Sequence, residues 1–321
     1  MTARPEQAPA RIVIDCDPGR DDALAILAAL GSAQLQLDFI TTVAGNVTVE
    51  RGSANALAVL AVAGVEDVPV YRGASSPMTR TLERGSNLHG DMAEAEPRLP
   101  RSRQNVAGDA HEALAAWCRE PGDLPKRLVA IGPLTNIGRL LVEDENALAG
   151  VDEIFVMGGT VGQIETRVSP TAEFNFHTDP EAAGLVLRSG ASIRLYDYDV
   201  TTSCQIAVDS VPEIRDAIGP PVGTYVGAWL DHLWEYANRV YGRQGIAVHD
   251  LYAVAGAAGA GPERWEWYEM TVDRSDERRG TILSRPAMAG DGVAVARGLD
   301  PQAMVDFLVG SARNLPANRV S

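Results

Sequence analysis

The chain has 321 residues, 45% of them hydrophobic, enough for one large domain or two small ones with an ample core. Its formal net charge of −15 argues against a nucleic-acid polymer or an anionic membrane as the main partner and leaves a small neutral or cationic substrate open. Cys16, Cys118 and Cys204 have no metal-like spacing and read as reduced thiols of a cytoplasmic protein, and no apolar run reaches transmembrane length.

The opening "MTARPEQAPA" lacks the apolar run of a signal peptide, so residues 1–10 are expected to be a disordered lead-in. "RIVID" then reads as a buried strand and "DDALAILAAL" as a helix closed by Gly31. "LQLDFITTVAG" is a second strand, "VERGSANALAVLAVAG" a helix ending at Gly64, and "VPVYRG" a short third strand. Residues 74–108 have no clear period and suit a long loop or flap. "GDAHEALAAWCRE" is helical, "RLVAIG" a strand, "LTNIGRLLVE" a helix and "VDEIFVMGG" a strand. In "TDPEAAGLVLRSG", Asp179 is placed to cap a helix, with Pro180 in its first turn and Gly190 at its end. "ASIRLYD" is a further strand, and residues 208–258 read as mostly helical. Their aromatics, Tyr225, Trp229, Trp234, Tyr236 and Tyr241, suit a helix core, with one or two free to face a ligand. Trp265 and Trp267 alternate in a strand-like run that reads as structural; "GVAVARG" is a strand and "DPQAMVDFLVGSARNL" a helix.

Repeated βα alternation predicts an α/β, single-domain, Rossmann-like architecture: a mostly parallel central sheet with helices on both faces. Ligands of such sheets sit beyond the carboxyl ends of the strands. The segments there are "DCDPGRDD", "AGN", "IGPLTN" and "MGG", with "SPTAEFN" following.

Asp15, Asp17, Asp21 and Asp22 fall within eight residues, with only Arg20 as a nearby positive charge. Asp21 or Asp22 alone could be a helix cap. Four together raise one another's pKa unless a cation is present, and a hard ion such as calcium or magnesium takes carboxylate and carbonyl oxygen. No Cys or His cluster suggests zinc.

Two enzyme classes place Asp-x-Asp after a strand. The haloacid dehalogenase-like phosphatases are one, and "AGDGVAVA" resembles their later acidic motif, but Gly19 stands where they carry Thr or Val. "DCDPGRDDA" resembles far better the Asp-rich motif of the inosine–uridine-type nucleoside hydrolases. That resemblance continues through "TTVAGN", "NLHGD", "IGPLTNI", "VMGG", "AEFN" with "DPEAA", "VHDLYAVA" and "GVAVARGLDPQAMVDFL", all in the family's order.

The resemblance implies a nucleoside hydrolase fold with its catalytic domain over residues 11–315. It implies hydrolysis of the N-glycosidic bond of purine or pyrimidine ribonucleosides, by a calcium-bound water that Asp17 activates. The ion would lie on Asp17, Asp22, the backbone carbonyl of Ile131 and Asp250. Asp21, Asn46, Glu173 and Asn175 would hold the sugar hydroxyls, with Met157 packed beside the sugar and Asp15 behind the metal ligands. His249 would serve the leaving base, with His89 from the flap. Where the family usually has an Asn against the sugar 5′-hydroxyl, this chain has Arg167. Arg167 either faces solvent or pairs with Glu165 or Glu173, or it aims a guanidinium at the 5′ position. The family implies a homodimer or homotetramer, with a nucleoside as the small-molecule partner. A non-catalytic protein binding ribosyl ligands is the remaining alternative; the intact acidic cluster, "AEFN" and "HD" speak against it.

Overall fold

The computed structural model describes residues 9–82, 92, 96–162, 169 and 171–319. Its strands are β1 (Ala10–Cys16), β2 (Leu35–Thr42), β3 (Val70–Arg72), β4 (Gly108–Asp109), β5 (Lys126–Ala130), β6 (Glu153–Met157), β7 (Ile193–Tyr196), β8 (Ile206–Ala207), β9 (Gly245–Ile246), β10 (Arg264–Val272), β11 (Ile282–Pro286) and β12 (Val293–Arg297). Its helices are α1 (Arg20–Gly31), α2 (Val49–Ala63), α3 (Ala110–Arg119), α4 (Thr135–Glu143), α5 (Phe174–Thr178), α6 (Pro180–Leu187), α7 (Tyr198–Ser203), α8 (Val211–Ile218), α9 (Val222–Tyr241), α10 (His249–Ala257) and α11 (Pro301–Ala312).

Ten strands form one sheet in the order β11-β10-β12-β7-β6-β5-β1-β2-β3-β4. All neighbours from β12 to β4 run parallel, and β10 lies antiparallel to both β12 and β11. The mostly parallel sheet is the predicted one; the antiparallel β10–β11 edge is an addition to it. After β1 the chain builds outward through β2, β3 and β4, then returns to place β5 on the other side of β1. The topological switch point is therefore the gap between β1 and β5, where α/β sheets open a crevice for ligands.

Alternation along β1 divides the core. Ile12, Ile14 and Cys16 join the buried cluster with α1, α2, α9, α10 and α11. Val13 joins the opposite cluster with α3, α4 and α6. Each fully buried Leu, Ile or Val contributes about 1.5–3 kcal/mol. Two such layers supply the stability against which buried carboxylates are tolerated.

Asp179 caps α6 as its position predicted, accepting from the Ala182 N–H at 3.1 Å with Pro180 in the first turn. It also takes the Thr135 hydroxyl at 2.7 Å and the Met78 N–H at 2.9 Å, so one buried carboxylate joins α4, α6 and the residue 78 loop. Trp265 and Trp267 are structural: the Arg194 guanidinium lies 5.0 Å from one ring and 5.6 Å from the other. Trp229 and Tyr236 are core residues. Near the far end, Asn318 donates to the carbonyls of Ile218 and Ala312.

Candidate active site

At the carboxyl end of β1 the chain turns through Pro18 and enters α1 with Gly19 as N-cap. Asp22, in the first turn, reaches back to accept the Gly19 N–H at 2.8 Å and the Asp17 N–H at 3.2 Å. Asp21 accepts the Asp22 N–H at 3.2 Å. Asp22 thus fills the cap role from inside the helix. Asp250 lies in the first turn of α10, which packs against α1. Two helix N-termini therefore carry the acidic cluster.

Oxygens of Asp21, Asp22 and Asp250 all lie within 4.8 Å of one another, and all three residues are buried. Asp17 is fully buried beside them. Its Oδ2 accepts the Asn46 N–H at 2.6 Å, and its Oδ1 has no hydrogen-bond partner among the described residues. Gly45 is required here, because a Cβ built on it would stand 2.1 Å from Asp17 Oδ2.

Burial is the first cause of the raised pKa of Asp17, Asp22 and Asp250, and neighbouring carboxylates come next. Asp17 is pushed well above the carboxylate range by burial and by Asp22. Asp250 is pushed well above it by burial and by Asp21, Asp22 and Asp17. Asp22 is pushed up to about 8 by burial and by Asp21. A helix dipole is worth up to about 2 kcal/mol in a partly buried geometry. Burying an ion costs several kcal/mol. The two helix ends therefore cannot offset the cluster, and a bound cation can. An unpartnered buried carboxylate oxygen and an all-oxygen donor set with no Cys or His fit a hard divalent ion.

Asp15 lies one layer below. It accepts the Thr41 hydroxyl at 2.6 Å and the Asn136 amide at 2.7 Å, and burial raises its pKa to about 6. Ile131 follows β5 directly, across the switch point from Asp17. Its carbonyl accepts the Asn175 amide at 3.0 Å, and the same amide reaches the Met157 carbonyl at 3.2 Å. Asn175 thereby joins the ends of β5 and β6. Glu173 is the N-cap of α5: its carboxylate takes the N–H groups of Gly159 at 2.8 Å, Asn175 at 2.9 Å and Phe176 at 3.3 Å. Burial still lifts it to about 7.

His249 opens α10 beside Asp250. Its Nδ1 lies 2.8 Å from the Thr201 hydroxyl, and its ring stacks on Tyr198 with centroids 5.2 Å apart and planes 20° apart. Arg243 donates to the Tyr198 hydroxyl at 2.8 Å and lies over the Tyr241 ring. Tyr198, Thr201 and Arg243 are contacts that the sequence reading missed. His89 and Arg167 lie outside the described residues. Asp291, of the phosphatase-like "AGDGVAVA", is exposed at the amino end of β12. Because β12 runs parallel to β7, Asp291 sits at the pole opposite the cluster.

Fold and cluster together define an α/β protein with a buried, cation-ready carboxylate centre at its switch point. A family model described as inosine-uridine preferring nucleoside hydrolase matches residues 12–306, and the chain belongs to that family. The pyrimidine-specific ribonucleoside hydrolase RihA of Shewanella sp. (strain ANA-3) is 36% identical over 310 residues, covering 94% of this chain and 95% of that one. RihA of Salmonella agona (strain SL483) is 38% identical over 246 residues, covering 76% and 78%. Among solved structures, a purine-preferring ribonucleoside hydrolase from Gardnerella vaginalis superposes with a TM-score of 0.86 at 28% identity, covering 97% of this chain and 100% of that one. The chain is accordingly an enzyme that hydrolyses ribonucleosides.

Proposed function

We propose that this enzyme cleaves the N-glycosidic bond of pyrimidine ribonucleosides, releasing ribose and free base, with one calcium ion at the acidic centre. The observation that carries the reading is the set of buried carboxylates meeting at the β1/β5 switch point, with Asp17 Oδ1 buried and lacking a hydrogen-bond partner among the described residues. The pyrimidine preference is supported by the RihA relatives, which are more similar to this chain than the purine-preferring structural neighbour is.

Asp17, Asp22, Asp250 and the Ile131 carbonyl would hold the ion, with Asp21 close enough to Asp22 and Asp250 to bind a sugar hydroxyl beside it. When bound, the ion lowers the pKa of a water it holds. Asp17 takes a proton from the attacking water. The partnerless Oδ1 suits that role, while the Asn46 N–H holds Oδ2 in place. Asn46, Glu173 and Asn175 position the ribose. Asn175 has its amide nitrogen committed to two carbonyls and so offers Oδ1 to a sugar hydroxyl. Met157, buried at the end of β6, packs beside the sugar. The surrounding negative charge stabilises the oxocarbenium-like transition state. His249 gives the leaving base its proton, with His89 assisting from the flap.

A homodimer or homotetramer is proposed from the family alone. A cytoplasmic location is supported by three unpaired, buried cysteines. Among the described residues, no helix is long and apolar enough to cross a membrane.

The test is kcat/KM for uridine, cytidine and inosine, with reducing sugar and phosphate both measured. Sugar release with uridine or cytidine ahead of inosine is expected; a clear preference for inosine contradicts the pyrimidine reading. Arg167 adds a second expectation. A planar fork of donors at the 5′ position suits a phosphate better than a lone hydroxyl. Uridine 5′-monophosphate should then gain on uridine in the wild type and lose that gain in Arg167→Asn. A wild type that strongly prefers uridine, unchanged by the substitution, places Arg167 away from the substrate.

A further inference from the structure

We propose that Thr201 is the positioning residue for His249, fixing which ring nitrogen faces the leaving base. The inference rests on the reading of His249 as the group that serves that base. Its basis is a conflict of lone pairs. Thr201 Oγ1 lies 3.1 Å from the Asp197 carbonyl, 3.3 Å from the Tyr198 carbonyl and 2.8 Å from His249 Nδ1. The hydroxyl has one proton. Were it given to Nδ1, the oxygen would face two carbonyl oxygens with no hydrogen between them. Given to the carbonyls, it leaves Oγ1 as an acceptor, and Nδ1 must then carry the N–H that donates to it. The ring is therefore held as the Nδ1–H tautomer, and proton exchange with substrate passes through Nε2.

The scaffold around Thr201 is built to hold this geometry. α7 has only six residues, yet its N-cap and each of its first three positions are tied down or packed. Its N-cap, Asp197, is fully buried and accepts the Val200 N–H at 3.0 Å, while Arg297 Nη1 lies 3.2 Å from both its oxygens. Tyr198 stacks on the His249 ring and takes a hydrogen bond from Arg243. Asp199 accepts from the Thr160 hydroxyl and the Gly162 N–H, tying α7 to the loop after β6. Val200 is buried in the core. Stacking fixes the plane of the imidazole, and Thr201 fixes its rotation within that plane. As the C1′–N bond breaks, its electron pair leaves on the base. The ring enters the step as the imidazolium, with Nδ1–H held by Thr201. Nε2 gives its proton to the base, which leaves the neutral Nδ1–H ring, and water adds to C1′ after losing a proton to Asp17.

The test separates leaving groups. p-Nitrophenyl riboside departs as a stable anion and needs little help from an acid, whereas uridine needs it. Thr201→Val should lower kcat for uridine by about ten- to a hundredfold, a fraction of the usual loss of a general acid. kcat for p-nitrophenyl riboside should change little, and Thr201→Ser should recover most of the uridine rate. Equal losses on both substrates, or no loss on uridine, overturn the proposal. Independently of any variant's folding, 15N spectra of the wild type, with the His249 signal assigned by its loss in His249→Gln, should show a protonated Nδ1 in the neutral ring; a protonated Nε2 overturns it. His249→Ala should also spare p-nitrophenyl riboside while impairing uridine. If uridine turnover survives that substitution, the reading of His249 itself is at fault, and the inference falls with it.

Discussion

Asp17→Asn is expected to lower kcat for uridine by at least about a hundredfold, the lower end of what loss of a general base costs, with a much smaller change in substrate binding. The substitution is close to isosteric. Asn keeps an oxygen that can accept the Asn46 N–H, now 2.6 Å from Asp17 Oδ2, and fits against Gly45 as Asp17 does. What it removes is the ability to take a proton. Burial and the neighbouring Asp22 both raise the proton affinity of Asp17, the direction a base requires. Single-turnover rates and a binding isotherm for a non-hydrolysable nucleoside separate the two effects. A mutant with near-normal kcat would send the proton elsewhere, with Asp21 and Asp250 the next groups to examine.

Metal-free protein should lose stability as pH rises, and calcium should remove most of that loss. Asp22 moves from 3.8 to about 8, Asp15 from 3.8 to about 6 and Glu173 from 4.5 to about 7. Each holds a proton in the folded chain that the unfolded chain has already released. Their contribution is whole below the unfolded pKa and declines as pH climbs through the folded one, at about 1.4 kcal/mol per pH unit for each proton retained. The window for these groups runs from about pH 4 to 8. Comparison at pH 6 and 8.5 samples its upper part, clear of general acid unfolding. Urea midpoints should fall between those two values in chelated protein and rise with calcium most strongly at the higher one. Asp22→Asn should raise the midpoint of the metal-free protein at pH 8.5. A metal-free midpoint that climbs with pH contradicts the assignment of buried carboxylates that hold protons in the folded chain.

Much of this was legible in the chain because its signals are local. The Asp179–Pro180 pair marked the start of α6, and Gly64, at φ 72°, closed α2 where a left-handed residue was needed. The aspartates after β1 announced a buried acidic cluster able to hold a cation, because four carboxylates within eight residues have only Arg20 as a nearby positive charge. What stayed hidden depends on distance in sequence or on shortness. A strand's alternation does not reveal its direction, so the antiparallel placement of β10 could not be read. α7 and α5, at six and five residues, are too short to show a helical period. The bond from Asn175 to the Ile131 carbonyl spans 44 positions, and the one from Thr201 to His249 spans 48. Glu173 was expected at the sugar alone; its three backbone donors show that it also builds the turn into α5.

The most direct test of the central claim is a calcium titration of exhaustively chelated protein, with bound ion and ribose released from uridine measured in the same samples. Turnover should be absent without metal and should rise to a plateau as one ion binds per chain, through six to eight oxygen ligands at about 2.3–2.6 Å if a structure is taken at saturation. Full activity in a demonstrably metal-free sample, or calcium binding unaffected by Asp22→Ala and Asp250→Ala, would contradict it.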